Sequence, residues 1–245
     1  MTMSLLHQLL TRCSCVLASV MLALASFPGT AAGQFQGVVQ TRNTTVDDMG
    51  QSQTYMMTMR IRDGMLRVEI PASGGGPQST IIYRRDREIV WILNEREKTF
   101  FEVLSRQTGE SQRPPSPAPA DKPTLRRTGK TRRMLGHSAE QIIVKTLDAE
   151  TEIWATRELA PLADAIRKSV GNRGMATGAE WEEELAKLGM FTLAATTRMG
   201  GKIYDASEVT RIEESAVPLT LFDVPRGFTR QGVNDMIDRE SGPPK

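Results

Sequence analysis

The sequence predicts a mainly β (α+β) fold, in which a curved antiparallel sheet, or incomplete β-barrel, carries a helical pair packed on its concave side. Three observations lead to this class. Apolar and polar residues alternate in many short runs, a period that is typical of half-buried strands. The links between these runs are too short for a crossover helix, so neighbouring strands are expected to be antiparallel. Helical periodicity is confined to two stretches late in the chain.

The chain begins with a stretch that predicts a secretory signal peptide over residues 1–32. Arg12 precedes an apolar run, Cys13–Ala25, and a cluster of small residues follows. A basic start, a short apolar run and a small-residue cleavage site are typical of a signal peptide, whereas a bilayer-spanning helix needs about 20 apolar residues. Cleavage is expected after Ala32, with Ala25 as the alternative. A buried N-terminal helix is the competing interpretation.

The mature chain is expected to be a periplasmic or secreted protein without thiols. Both cysteines lie inside the predicted leader, so neither a disulfide nor a thiolate ligand is available after cleavage. No later stretch is apolar enough to predict a transmembrane segment. Lysine and arginine total 31 against 29 acidic residues, and aromatic residues make up 5% of the chain. This nearly neutral, aromatic-poor composition predicts no nucleic-acid partner.

The first half of the mature chain is predicted to be a meander of short strands. Residues Tyr55–Arg62 alternate between inward and outward side chains, and Met65–Ile70 follows after Asp63–Gly64. An Asp-Gly pair between two alternating runs is a strong hairpin signal, because both residues can adopt positive φ. The other strands predicted in this half are Phe35–Arg42, Thr80–Tyr83, Ile89–Leu93 and Thr99–Leu104.

Residues 105–123 are rich in proline and small polar residues. This segment has too little apolar surface to bury itself, so a mobile loop is expected. We predict a single β-rich domain over residues 33–228 that contains this loop, and the alternative is a linker between two domains. Residues 229–245 are predicted to be a flexible tail.

The second half is predicted to add a basic ribbon, two helices and further strands. Residues 124–157 combine a basic, glycine-punctuated run with two strands around a turn at 147–150. One helix is predicted from the spacing of Leu159, Leu162, Ile166 and Val170, and a second from Trp181, Leu185 and Leu188. The remaining strands are predicted at Phe191–Arg198 and Lys202–Ile212, and Val217–Phe228 is expected to end the ordered part.

The sequence identifies no reaction, and no catalytic residue, metal or cofactor is predicted. His137 is the one histidine of the mature chain, and zinc sites draw on several histidines or cysteines. The same scarcity argues against a Ser-His-Asp triad, and no Gly-x-Ser-x-Gly motif occurs. Gly129–Thr131 lacks the upstream glycine of a phosphate-binding loop. A carboxylate-dependent hydrolase, which needs two facing acids, is an open alternative.

Two groups of residues are candidates for binding. A methionine-rich hairpin and two tryptophans fit an apolar ligand cavity, because methionine adapts its shape to varied ligands, and core filling is the competing interpretation. The predicted ligand-binding residues are Tyr55, Met57, Met59, Trp154 and Trp181. A basic cluster in residues 122–133 fits an anionic partner, or else a solvated strand edge on which charge opposes aggregation. Its predicted anion-binding residues are Arg126, Arg127, Lys130, Arg132 and Arg133.

Several motifs resemble an uncharacterised family of exported bacterial proteins that is described only as a domain of unknown function. They are Thr128–Lys130 with Met134–Gly136, Glu152–Thr156 ahead of a helix, and Pro218–Phe228 near the end. The order of elements is also similar to the lipoprotein-carrier (LolA/LolB-like) architecture, in which a curved half-barrel covered by helices holds acyl chains. This resemblance implies the fold and the periplasm, and it supplies no catalytic residue.

The hypothesis that follows is a non-enzymatic binding or carrier protein for a lipid or another amphiphile, by analogy of fold. The first alternative is an envelope interaction module that docks an anionic component through residues 122–133. The second alternative is the carboxylate-dependent hydrolase. The sequence leaves the ligand and the oligomeric state open.

We expect the protein recovered from its native envelope to begin at Gly33, because the small residues of the cleavage site end at Ala32. Intact mass and N-terminal sequencing measure this directly. A start at Ser26 would select the alternative site. A recovered chain that still carries the apolar run Cys13–Ala25 would contradict the signal-peptide prediction.

Overall fold

The computed structural model describes residues 34–47, 49–71, 78–104, 123–170 and 180–232. These residues form one open, curved sheet of twelve strands, so the fold is mainly β, as predicted. Three predicted segments lie outside the described residues: the signal peptide (1–32), the proline-rich loop (105–123, apart from Pro123) and the tail beyond Gly232.

The elements follow one another along the chain with few interruptions. The strands are β1 Gly37–Val46, β2 Ser52–Arg62, β3 Met65–Ile70, β4 Ser79–Arg84, β5 Ile89–Asn94, β6 Thr99–Leu104, β7 Thr124–Met134, β8 His137–Lys145, β9 Ala149–Thr156, β10 Phe191–Met199, β11 Lys202–Glu214 and β12 Thr229–Gln231. The helices are α1 Ala160–Val170 and α2 Glu180–Lys187, and short 3₁₀ turns lie at Arg85–Arg87 and Leu219–Phe222.

The sheet consists of two antiparallel meanders joined through β1. The strand order is β12-β6-β5-β4-β3-β2-β1-β11-β10-β9-β8-β7. β1 pairs with β11, which connects the two halves, and β12 lies parallel to β6 at one edge. The predicted antiparallel arrangement is therefore confirmed for β1–β11, whereas β12 makes the sheet mixed.

The ordered chain continues past its predicted end at Phe228. Thr229–Gln231 pairs with the start of β6, and the Thr229 amide donates to the Lys98 carbonyl at 2.9 Å. The Lys98 ammonium also lies 5.0 Å from the centre of the Phe228 ring. The tail predicted from residue 229 is corrected accordingly: its first residues form a strand, because β6 offers them an unpaired edge.

The predicted hairpin between β2 and β3 is confirmed. Asp63 and Gly64 have φ values of 48° and 74°, as a tight two-residue turn with matching twist requires. The turn places Arg62 opposite Met65 and sets the register of the following strand. A slip of one residue would turn every side chain of β3 to the other face.

One face of the sheet carries the helix-side cluster, which packs beneath α1. In it, Val39, Met59, Val68 and Ile81 stand opposite one another across β1, β2, β3 and β4. The helix contributes three residues that the spacing predicted, Leu162, Ile166 and Val170, and the fourth, Leu159, lies in the turn just before it; all four are buried. The face of α1 is therefore correctly predicted.

The predicted helical pair is not supported. α1 alone packs on the helix-side cluster, whereas α2 is short and its buried Leu185 lies elsewhere. Leu185 and the half-buried Trp181 pack with Ile142 and Ile153 in a second cluster, which contains no residue of α1. One helix, rather than a pair, thus covers the helix-side cluster. In the part of the chain that the structure describes, no helix has the length and apolar character needed to cross a membrane.

The other face of β3–β5 is covered by residues 217–228. Val217 and Phe222 are buried against Met65, Ile82 and Trp91. These three sheet residues alternate with those of the helix-side cluster, so they point to the opposite side. β3 and β4 are therefore covered by apolar side chains on both faces.

Three arginines hold this C-terminal segment through its backbone, and we call them the arginine clasp: Arg62, Arg67 and Arg84. Arg62 donates to the Val217 carbonyl at 2.7 Å. Arg67 donates to the Leu221 carbonyl at 3.1 Å, and Arg84 to the Phe222 carbonyl at 3.0 Å. Arg67 and Arg84 are buried, so each bond satisfies a carbonyl that strand pairing leaves unmatched.

The buried charges of the clasp are neutralised locally. Arg67 pairs with Glu69 at 2.7 Å, and Arg84 pairs with Asp223 at 2.6 Å. Burial raises the pKa of Glu69, but hydrogen bonds from Arg67 and Arg60 outweigh burial and hold that pKa below its usual value. Because buried ion pairs carry a desolvation cost, these pairs fix the position of the segment more than they add stability.

We expect Phe222→Ala to destabilise the protein by about 3–5 kcal/mol, because it empties a fully buried site between the segment and the sheet. The matched control is Leu219→Ala, since Leu219 belongs to the same turn but is 52% exposed. That change should stay within about 0.5 kcal/mol of wild type. Urea unfolding measures both, and equal effects would show that the segment does not pack as described.

Candidate functional site

The sheet face that packs beneath α1 becomes exposed to solvent partway along β2. Ile61 and Met59 are 0% and 3% exposed, Met57 is half-buried against the cluster, and Tyr55 is half-buried beyond it. Gln53 is exposed. Since residues two apart share a face of a strand, these side chains form one line from core to solvent. Three predicted ligand-binding residues, Tyr55, Met57 and Met59, lie in this line, and only Met59 is fully buried.

Beyond Met57, the same face of four neighbouring strands carries polar side chains. Tyr55 stands opposite Asn43, which stands opposite Ser207. In the adjacent row, Asp205 lies between Thr45 and Thr197. We call this surface the polar strip: Asn43, Thr45, Tyr55, Thr197, Asp205 and Ser207.

The polar strip is bordered by apolar residues on two sides. The helix-side cluster reaches Met57 and Val209, which both lie opposite Thr41. The second cluster reaches Ala195, which lies opposite Ser207. All members of the strip except Thr45 are half-buried. The strip is therefore a partly desolvated polar surface between two apolar ones.

Asp205 is the charged group of the strip. Among the described residues, none donates a hydrogen bond to its carboxylate or forms an ion pair with it. Burial raises the pKa of the Asp205 carboxyl above its usual value. The pKa of the Tyr55 phenol is also raised, first by burial and then by the charge of Asp205. The charge of Asp205 therefore acts on the Tyr55 phenol, and both side chains lie on one half-buried surface.

Two hairpin tips at the end of the strip enclose a cavity of about 270 Å³. We call it the tip cavity, and its lining residues are Val46, Asp47, Met49, Gly50, Met199, Lys202, Ile203 and Tyr204. Met49 is 80% exposed, and Met199, Ile203 and Tyr204 are between 43% and 50% exposed. Large apolar side chains grouped at a surface are typical of a binding site.

The two tryptophans among the predicted ligand-binding residues lie in different surroundings. Trp154 packs against the helix-side cluster, and its indole N–H donates to Glu152 at 2.9 Å. The Arg132 guanidinium lies 4.1 Å from the centre of the Trp154 ring. Trp181 packs against the second cluster beside Leu125. The predicted ligand-binding residues are thus divided between the two clusters.

The five predicted anion-binding residues lie on β7, an edge strand of the sheet. Arg127 binds both carboxylate oxygens of Glu140 at 2.6 and 2.5 Å, and Arg133 donates to the Gly136 carbonyl at 2.7 Å. Arg126 and Lys130 are exposed. Alternate residues point to opposite faces, and the register shifts between Arg127 and Thr131. This arrangement does not gather the cations into one anion site, and Lys122 lies outside the described residues.

A second cavity, of about 230 Å³, brings two carboxylates together beside β8 and β9. Glu140 binds Arg127, which lowers its pKa. Glu158 accepts a hydrogen bond from the Ser138 amide at 3.2 Å and lies 3.1 Å from His137 Nδ1. The bond from Ser138 has the largest effect in lowering the pKa of Glu158, and the bond with His137 lowers it further. Acid catalysis of hydrolysis needs a carboxyl with a raised pKa. This pair therefore does not supply the acid of a carboxylate-dependent hydrolase.

Sequence reasoning missed Asp205 and its polar neighbours. The signal was present in β11, where Asp205 and Ser207 are in phase with the buried Val209. A charged side chain at an inward position of a strand is unusual, because burying a charge without a partner is costly. The alternation of residues along β11 could therefore have selected Asp205 as a candidate.

A family model described as a domain of unknown function (DUF4412) matches residues 35–228, which confirms the predicted family resemblance. No curated protein matches the chain.

Solved structures resemble the chain only distantly. An uncharacterized conserved protein from Thermus thermophilus is 10% identical, with 80% of this chain and 90% of that chain covered and a TM-score of 0.46. A structure of PNGF-II is 11% identical, with coverage of 83% and 32% and a TM-score of 0.41. The LolA superfamily protein NE2245 from Nitrosomonas europaea is 10% identical, with coverage of 78% and 90% and a TM-score of 0.34. Likenesses at this level carry no inference about function.

We expect Asp205→Asn to stabilise the protein at neutral pH by less than about 1 kcal/mol, after allowance for solvent screening. The folded-state pKa of Asp205 is raised, so its ionised form costs stability above that pKa, and the cost disappears below the unfolded-state value of about 3.9. The gain should therefore shrink as the pH falls to about 3. Thermal unfolding of both proteins from about pH 3 to 8 measures it, and a gain that grows on acidification would contradict the assignment.

Proposed function

The chain belongs to the DUF4412 family of domains of unknown function, and from that premise we propose that it is a non-enzymatic binding or carrier protein for a lipid or another amphiphile. The family supplies no reaction, so support comes from the geometry of one face of the sheet. The observation that carries the proposal is the half-covered line from Met59 through Met57 to Tyr55.

An amphiphile has an apolar chain and a polar end, and this face offers both kinds of surface in sequence. An alkyl chain against Met57 would remove apolar area from water, which contributes about 25 cal/mol for each Å² buried. The flexible methionine side chain can adapt to chains of different shape. The polar end would then lie on the polar strip, where Tyr55, Asn43 and Ser207 offer hydroxyl and amide groups.

The tip cavity supports the same proposal from the other end of the strip. Met49, Ile203 and Tyr204 expose apolar surface beside a cavity of about 270 Å³. Exposed apolar side chains at hairpin tips would also contact the source from which the amphiphile is taken.

Action in the periplasm, or outside the cell, is part of the proposal. The predicted signal peptide at residues 1–32 supports export, and the mature chain that it would leave has no cysteine. A protein without thiols suits an oxidising compartment, because it has no cysteine that could form an incorrect disulfide. The carrier would therefore work in the envelope.

We expect Met57→Gln to weaken binding of a neutral apolar probe by roughly fivefold, because a polar amide replaces about 1 kcal/mol of apolar contact. The measurement is a titration of the purified mature chain with Nile red, with decanol as competitor. Met57 lies on the line between the core and Tyr55, so its loss acts on the proposed chain-binding surface.

The matched control is Met56→Gln. Met56 is the neighbouring residue of the same strand, points to the opposite face and is 41% exposed. Probe binding that is equally weakened by both changes, or that is absent in wild type, would refute the proposal. Thermal unfolding of both variants separates a binding defect from a folding defect.

A further inference from the structure

The polar strip contains a carboxylate, Asp205, that has no cationic partner among the described residues. On the reverse side of the same strands, Arg42 of β1 lies opposite Glu208 of β11 and pairs with it at 2.5 Å. Asp205 of β11 has no such cation: its cross-strand neighbours are Thr45 and Thr197, which are uncharged. The acidic residue on one face of this strand pair is therefore bound to an arginine, whereas the acidic residue on the other face has uncharged neighbours.

Nearby cations of the chain do not reach Asp205. Arg198, one position beyond Thr197, lies 3.7 Å from Glu152 instead. Lys202 lines the tip cavity, and no ion pair joins it to Asp205 in the part of the chain that the structure describes. A half-buried carboxylate without a partner is costly. A bound cation from outside the chain would remove that cost.

The surroundings select an organic cation over a metal ion. A calcium ion takes six to eight oxygen ligands and a zinc ion about four ligands, whereas Asp205 is the single carboxylate of the strip. Throughout the described ranges, no group of three or more His, Cys, Asp and Glu side chains could hold a metal ion. The neighbours Tyr55, Asn43 and Ser207 carry oxygen acceptors that an ammonium group can use.

The apolar residues that border the strip indicate which kind of molecule would carry the cation. Met57 lies on one side and Ala195 on another, and each belongs to or packs against an apolar cluster. A small hydrophilic amine would leave the half-buried Met57 in contact with water. An amine that carries an alkyl chain would cover Met57 with its chain while its head reaches Asp205.

We infer that the amphiphile bound on this face carries a protonated amine at its polar end, and that Asp205 is its counter-charge. The inference rests on the proposed function and names the class of ligand. Asp205 is a specificity-determining residue in this scheme, because it selects the head group and leaves chain binding to Met57. Acidic amphiphiles are disfavoured by the same carboxylate.

The experiment compares three ligands that share one chain: decylamine, decanol and decanoate. Each displaces Nile red from the mature chain at neutral pH, below the concentration at which the ligand aggregates. Wild type should bind decylamine about tenfold more tightly than decanoate, as expected for one partly desolvated charge contact. Asp205→Asn should reduce that ratio to within about twofold. Its thermal unfolding at the same pH shows that the variant is folded.

The control variant is Glu214→Gln, which removes one negative charge from the exposed end of the same strand. It should keep the wild-type preference for decylamine, because only global charge has changed. If decanol binds but wild type shows no preference, or if the preference survives in Asp205→Asn, the inference fails and amphiphile binding stands. If none of the three ligands binds, the proposed function fails as well.

Discussion

The arginine clasp is the interaction on which the covering of the sheet depends. β3 and β4 carry apolar side chains on both faces, and α1 covers only one of them. The other face is covered by an irregular segment, whose carbonyls have no strand to pair with. Arg62, Arg67 and Arg84 supply the missing donors and cover apolar surface with their stems. Arginine suits this role because its planar fork serves carbonyls and carboxylates together.

Much of the fold could be predicted from local pattern. The Asp63–Gly64 hairpin, the meander and the buried face of α1 follow from short-range periodicity, and the structure agrees. What local pattern cannot give is long-range pairing. The contact of β1 with β11 joins residues far apart in the chain, and the parallel strand β12 depends on an edge that β6 leaves free.

Charged residues were the positions at which sequence pattern predicted burial poorly. Arg67 and Arg84 are charged residues of a type that usually lies at the surface, yet both are buried beneath the C-terminal segment. Asp205 was overlooked for the same reason, since a charged side chain is normally expected at the surface, although Asp205 is in phase with the buried Val209 along β11. Ligand binding by Tyr55 and Met57 stays a prediction: both lie where the cover of α1 ends, whereas Met59 is a core residue. Burial on a sheet depends on what covers each face, and a single strand does not encode that.

The arginine clasp also bears on the order in which contacts form during folding. Arg67 and Leu221 are 154 positions apart, and Arg84 and Phe222 are 138 positions apart. Contacts of such separation form late, because the loop they close must first lose its entropy. During synthesis, which proceeds from the N-terminus, Ile82 and Trp91 would stay exposed to water until residues 217–228 have been made. During that interval the exposed apolar surface would favour aggregation, and a chain that lacks residues 217–228 would keep that surface exposed.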